Sequence, residues 1–131
     1  MTSPAEDLVR GLIHENGPIS FETFMETALY SDVGYYRNKE VFGPRGDYYT
    51  SPHLHPIFGS MLALQIERMW NIMGSPANFS VIEQGGGDGT LAMDILAAVS
   101  LLNESLYASL KYICVDRQKV EITEAGPIQF V

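Results

Sequence analysis

The sequence predicts an α/β protein in which a partial parallel sheet follows a helical amino-terminal extension. Three observations carry this. Phe79 to Gln84 and Lys111 to Asp116 are short, mostly apolar runs of strand length. Between them, Leu91 to Val99 sets Leu91, Ile95, Leu96 and Val99 on one side of a helix. A glycine cluster joins the first run to that helix, and strand, tight turn, helix and strand make one βαβ unit with a right-handed crossover.

The earlier elements follow from caps and periodicity. Ser3 caps a first helix with Pro4 at its first position; Leu8, Val9, Leu12 and Ile13 recur at helical spacing until Gly17-Pro18 stops it. Ser20 starts a second, short helix with Phe21, Phe24, Met25, Ala28 and Leu29 on one stripe. From Ser31 to Pro56 the periodicity gives way to turn formers: Gly34, Gly43-Pro44, Gly46-Asp47 and Ser51-Pro52. So long a loop in a compact domain is usually functional or disordered, and Tyr35, Tyr36, Phe42, Tyr48 and Tyr49 argue against disorder. Ile57, Phe58, Met61, Leu62, Ile66, Met69, Trp70 and Met73 then repeat at helical intervals up to Gly74 and Pro76, the clearest helix in the chain. After the second strand come a helical turn or two around Val120 to Glu124, then Gly126-Pro127, then an apolar IQFV able to begin a third strand. The expected division is 1–76 for the helical extension, with a loop at about 31–56, and 77–131 for the first part of the sheet domain.

Composition narrows the function classes. A chain of 131 residues fits one domain that buries a core without disulfide or metal staples. Its single cysteine, Cys114, lies in the apolar run YICV and reads as a buried thiol suited to a reducing compartment. Sixteen acidic and eight basic residues give a net charge of −8, which disfavours nucleic acid and anionic membrane surfaces. No apolar stretch approaches a membrane span, and Glu6 and Asp7 stand where a transit peptide would be acid-poor. The expected location is cytoplasmic, or the mitochondrial matrix if a transit peptide has been removed.

The run VIEQGGGDGT (81–90) needs a reason, because glycine inside an element costs up to ~1 kcal/mol relative to alanine. A Walker A loop would require a lysine after the last glycine, where Thr90 and Leu91 stand. The dinucleotide fingerprint G-x-G-x-x-G is one residue longer than Gly85-x-Gly87-x-Gly89, and Asp88 would face a pyrophosphate with like charge. The pattern present is E-x-G-x-G-x-G, with Glu83 at the strand's end. A carboxylate there suits a ligand bearing an ammonium or sulfonium, as S-adenosyl-L-methionine does. The glycines Gly85, Gly86, Gly87 and Gly89 let the chain pass beneath such a ligand, and the helix opening near Asp88 or Thr90 offers N–H groups to its carboxylate. Asp116, at the end of the next strand, would take the ribose hydroxyls. It follows Gly89 by 27 residues, against the ~20 of the usual fingerprint, so an extra loop is expected around Leu102 to Leu106. For either carboxylate alone, a solvated strand end is the plainer reading.

Beyond the glycine loop, the segments GPISFETFMETALYSDVGYY (17–36), FGPRGDYYTSPHLHPIFG (42–59), MWNIMGSP (69–76), VIEQGGGDGTLAMDIL (81–96) and YICVD (112–116) resemble the MidA-like family of S-adenosylmethionine-dependent methyltransferases. The mitochondrial members assist assembly of respiratory complex I and are regarded as protein arginine methyltransferases. The resemblance implies a Rossmann-like sheet after a helical extension whose GDxxTSP loop covers the cofactor pocket. Carried across, it assigns Glu83, Gly85, Gly87 and Gly89 to the methionine and ribose, Asp116 to the ribose hydroxyls, and Asp47, Thr50, Ser51 and Pro52 to the lid. Plainer readings of the lid residues are a turn at Gly46-Asp47 and a helix cap at Thr50 or Ser51.

Two departures stand out. Where the family has an acidic residue after SP, this chain reads His53-Leu54-His55-Pro56; no third ligand accompanies the pair, so surface or capping histidines are expected rather than a metal site. Family members also run to several hundred residues, so the chain is expected to hold the cofactor-binding portion, completed by further sequence, a partner or a second copy. The rival readings are a non-catalytic assembly or scaffold module that binds a protein through its sheet edge, and a nicotinamide-dependent oxidoreductase. No catalytic residue is assigned.

Overall fold

The computed structural model describes residues 2–37, 41, 46–47, 49–117 and 126–131. The expected helical turn at Val120 to Glu124, and Phe42 and Tyr48 of the aromatic loop, lie outside them. The chain divides into two compact units, Met1–Thr50 and Ser51–Val131.

In the first unit, α1 spans Pro4–Asn16, with the Ser3 hydroxyl accepting from the Glu6 amide at 3.1 Å and Gly17 ending it at φ 76°. Helix α2, Phe21–Met25, is capped by Ser20, which accepts from the Thr23 amide at 3.1 Å. The expected single helix through Leu29 instead widens into a π-helical turn, Glu26–Tyr30, which the Ser31 amide closes on the Glu26 carbonyl at 3.1 Å. Ser31 Oγ also donates to the Thr27 carbonyl at 2.7 Å, and Thr27 is buried. A short 3-10 turn at Tyr35–Arg37 follows. Tyr36 stacks on Tyr30 and meets Tyr35 edge-on, with centroids 5.6 and 5.4 Å apart.

The second unit holds the sheet. Helix α3, Ser51–Leu54, is a single turn inside the segment expected to be irregular; four residues give periodicity nothing to register. Helix α4 covers Ile57–Ile72 and closes through Gly74 at φ 82°, with the Ser75 amide on the Trp70 carbonyl and the Gly74 amide on that of Asn71. Strand β1 (Phe79–Gln84), helix α5 (Thr90–Leu102), helix α6 (Glu104–Ser109) and strands β2 (Leu110–Val115) and β3 (Ile128–Phe130) follow. The strands lie in the order β1-β2-β3, all parallel.

Two expectations change here. The extra length before Asp116 is not a loop at Leu102 to Leu106: Asn103 breaks α5 and caps α6, its Oδ1 accepting from the Leu106 amide at 3.0 Å while its Nδ2 donates to Glu67 Oε1 at 2.9 Å. The boundary expected at 76/77 also separates α4 from the sheet, whereas α4 packs on α5 in the same unit. Small residues draw these two helices together, Ala63 and Ala92 being wholly buried. Gly59 is the tightest point, since a Cβ there would come within 2.5 Å of Asp94 Cβ and 3.1 Å of the Ile95 amide nitrogen.

One sheet face packs into the core, with Leu110, Tyr112 and Cys114 buried beside Ile95, Leu96 and Val99 of α5 and Trp70 of α4. The indole of Trp70 donates to the Pro76 carbonyl at 2.9 Å. On the opposite face Ile82 stays 68% exposed. Among the described residues, no helix is long and apolar enough to cross a membrane.

These contacts fix opposite outcomes for two glycines. Gly59→Ala overpacks the α4–α5 crossing and is expected to destabilise the fold by about 1–3 kcal/mol. Gly11→Ala, in α1 with open space around it, is expected to stabilise by roughly 0.5–1 kcal/mol. Urea unfolding of both variants checks the contrast.

Candidate functional site

The β1–β2 pairing sets the site. Glu83 lies opposite Cys114 and Gln84 opposite Val115, so Glu83 and Asp116 stand at the same, carboxyl-terminal end of neighbouring parallel strands. Ligands of open α/β sheets bind at that end.

The glycine loop folds over it. The Gly85 amide extends the ladder to the Val115 carbonyl at 2.7 Å, and the Gly89 amide donates to the Gly86 carbonyl at 2.9 Å. Gly85, Gly87 and Gly89 have φ of 74°, 53° and 77°, conformations that side chains disfavour. Gly86 is needed for a different reason: a Cβ there would lie 3.1 Å from Cys114 Cβ. A Cβ on Gly85 or Gly87 would meet nothing within 4 Å, so the space at these two positions is open.

Three carboxylates surround that loop, each held differently. Glu83 Oε2 accepts from the Tyr112 hydroxyl at 3.0 Å and from the Cys114 thiol at 3.7 Å. Burial pushes its carboxyl above the ordinary range; the two hydrogen bonds oppose the shift, and Asp88 and Asp116 add to it. The same burial, with Glu83 alongside, raises the Tyr112 phenol and pushes the Cys114 thiol up to about 11, so both keep their protons as donors. Asp116 Oδ2 accepts from the Gly87 amide at 2.9 Å, tying the loop to the end of β2. Asp88 Oδ1 accepts from the Thr90 amide at 3.0 Å, and its Oδ2 pairs with His53 Nε2 at 3.1 Å. Burial raises Asp88, but the bonds from Thr90 and His53 outweigh it and leave the carboxyl below its usual range.

The structure places Glu83, Gly85, Gly86, Gly87, Gly89, Thr90 and Asp116 together at the carboxyl end of β1 and β2. Thr90 comes with a difference, because its amide is spent on Asp88 rather than left for a ligand. Ser51 and Pro52 open α3, which reaches the loop through His53. Asp47 and Thr50 belong to the first unit, where Asp47 accepts from the Tyr35 hydroxyl at 2.7 Å and holds that phenol above its usual range. Of the two histidines, His55 caps α4, its Nδ1 accepting from the Ile57 amide at 3.1 Å, whereas His53 pairs with Asp88 instead of standing free. Among the described residues no cluster of His, Cys, Asp or Glu could hold a metal ion. Tyr112 and His53 were not legible as site residues, since only the strand register and the placement of α3 bring them to the carboxylates.

Comparison with known proteins bears on this geometry. Residues 61–122 match the profile of a family described as "Putative S-adenosyl-L-methionine-dependent methyltransferase". The chain is 37% identical over 103 residues to the Drosophila melanogaster protein arginine methyltransferase NDUFAF7 homolog, mitochondrial, covering 78% of this chain and 24% of that protein. The Bos taurus protein arginine methyltransferase NDUFAF7, mitochondrial, is 36% identical over 112 residues, covering 79% and 25%. A COG1565 superfamily member from Burkholderia thailandensis, crystallised bound to S-adenosyl-homocysteine, superposes with a TM-score of 0.71 at 31% identity, covering 88% of this chain and 30% of that one. The chain is a homologue of the amino-terminal part of this MidA-like methyltransferase family. Its sheet is accordingly a partial Rossmann-like methyltransferase sheet after a helical extension. It spans about a quarter of the length of the curated relatives it matches. The fruit-fly and cattle relatives are named mitochondrial, and the cytoplasmic location expected from composition finds no support among them.

The Glu83 environment predicts a stability cost. A carboxyl whose folded pKa is raised above its unfolded value of ~4.3 destabilises the fold as pH rises from that value through the folded one. Glu83→Gln, which retains an acceptor for Tyr112, is expected to melt higher than the natural protein at pH 7 and to converge with it near pH 4. Thermal denaturation at the two pH values measures this.

Proposed function

We propose that this chain is the cofactor-binding portion of an S-adenosyl-L-methionine-dependent methyltransferase whose acceptor is a protein arginine. The carrying observation is the pair of carboxylates, Glu83 and Asp116, bracketing an open glycine loop at the carboxyl end of two parallel strands. In this reading Glu83 faces the cationic methionyl portion, Asp116 the ribose hydroxyls, and the glycines the chain of atoms between them. Ser51 and Pro52, which open α3 in the same unit, supply the lid. Orphan amides at the start of α5, beyond that of Thr90, receive the ligand's carboxylate.

The acceptor comes from the relatives, which are named protein arginine methyltransferases. A role in respiratory complex I assembly and a mitochondrial matrix location belong to the same reading. Transfer of the methyl from sulfonium to a guanidinium nitrogen is an in-line displacement that depends mainly on positioning. The described residues supply the cofactor side of that geometry. The uncovered sheet face at Ile82 and Val115 favours a further protein surface against it, whether more of the same fold, a second copy or an assembly partner.

Calorimetric titration tests the cofactor. Binding of S-adenosyl-L-methionine, with thermal stabilisation of about 2.7 kcal/mol at a hundredfold excess over Kd and none from NAD, is the expected result; no heat at millimolar ligand refutes it. Asp116→Ala is expected to weaken binding at least about tenfold, the loss of roughly one hydrogen bond to a charged group.

A further inference from the structure

We infer that Tyr112 is a positioning residue for the cofactor: buried in the core on β2, its hydroxyl fixes the Glu83 carboxylate in the orientation that receives the ligand's cation. The inference rests on the cofactor reading above and adds to it a residue that does not touch the ligand.

The register supplies the geometry. Tyr112 pairs with Val81, and Glu83 lies two residues further along β1 on the same face, roughly 6.6 Å away at 3.3 Å per residue. A phenol laid along the strand direction spans that interval and ends in a 3.0 Å hydrogen bond to Oε2. Phenylalanine would fill the same volume and leave the carboxylate unheld. Tyr112 itself is 2% exposed, so its hydroxyl has no bulk water to turn to. The thiol of Cys114 reaches the same Oε2, so both protein donors converge on one oxygen. The other oxygen is thereby aimed by its partner's anchoring.

Electrostatics give the hydroxyl a second task. The groups facing Glu83 are Tyr112 and Cys114 from β2, Asp88 from the loop and Asp116 at the end of β2; the two aspartates and burial all favour the neutral acid. A neutral Glu83 would not attract a cation. The Tyr112 hydrogen bond opposes protonation and keeps the carboxylate charged over a wider pH range.

The test uses the full chain as the natural form, Tyr112→Phe, Glu83→Gln and the double variant, with calorimetric titration of S-adenosyl-L-methionine between pH 5.5 and 8.5. Tyr112→Phe is expected to weaken binding about tenfold, with the loss growing as pH falls, because Glu83 then protonates at higher pH. In the Glu83→Gln background the same change should alter affinity less than about twofold, since the two residues act through one contact. Carboxyl carbon NMR of Glu83 without ligand should show its midpoint higher in Tyr112→Phe. An unshifted midpoint, an unshifted pH profile, or an equal loss with and without Glu83 overturns the inference while leaving the cofactor reading intact. No binding by the natural chain at any pH overturns both.

Discussion

The parallel pairing of β1 and β2 is the constraint on which the site depends. Parallel strands place their carboxyl ends together, so a residue leaving β1 and one leaving β2 emerge side by side only if the register is right. A slip of β1 by one residue against β2 would turn Glu83 to the face Ile82 now occupies, away from Tyr112 and Cys114. The register is held from below, where Leu110, Tyr112 and Cys114 pack under α5. The core thus fixes the position of a polar site, and through Tyr112 and Cys114 it also touches that site.

The glycine loop leaves open space at the end of that register. Each glycine answers a separate demand: Gly86 yields to the Cys114 side chain, while Gly85 and Gly87 take left-handed backbone beneath open space. The Gly87 amide then bonds Asp116. Left-handed backbone at 85, 87 and 89 accounts for the glycines of E-x-G-x-G-x-G, and contact with Cys114 for the additional glycine at 86.

The strands, the glycine turn and the major helices were legible because their signals are local. Ser3, Ser20 and Gly17 cap or stop helices wherever the chain goes, and the apolar periodicity of α4 survives any tertiary context. What was not legible depended on partners far along the chain. Asn103 looked like a loop residue, yet it caps a new helix while bonding Glu67, 36 positions earlier. Tyr112 looked like one more apolar strand residue until the register set it below Glu83. His53 could be weighed only against metal ligation or a surface role, because Asp88 lies 35 positions away. The π-helical turn at Glu26–Tyr30 has no signature that separates it from an ordinary helix end.

Three carboxylates around one loop pose an electrostatic problem that the fold meets with a different device for each. Glu83 is answered by a phenol and a thiol from β2, Asp88 by the Thr90 amide and the His53 ring, and Asp116 by a glycine amide. Held this way, the groups are anchored by the protein itself, and on the proposed reading a cation above Gly87 would meet a prearranged field rather than one it must organise. On the same reading the arrangement would also discriminate. A pyrophosphate in the same space would face Glu83, Asp88 and Asp116 with like charge in a partly desolvated setting, where repulsion is stronger than in water. The acidic set, in which ionised Glu83 costs stability in the empty protein, is, on the proposed reading, what separates a sulfonium nucleoside from a dinucleotide on an otherwise similar βαβ frame.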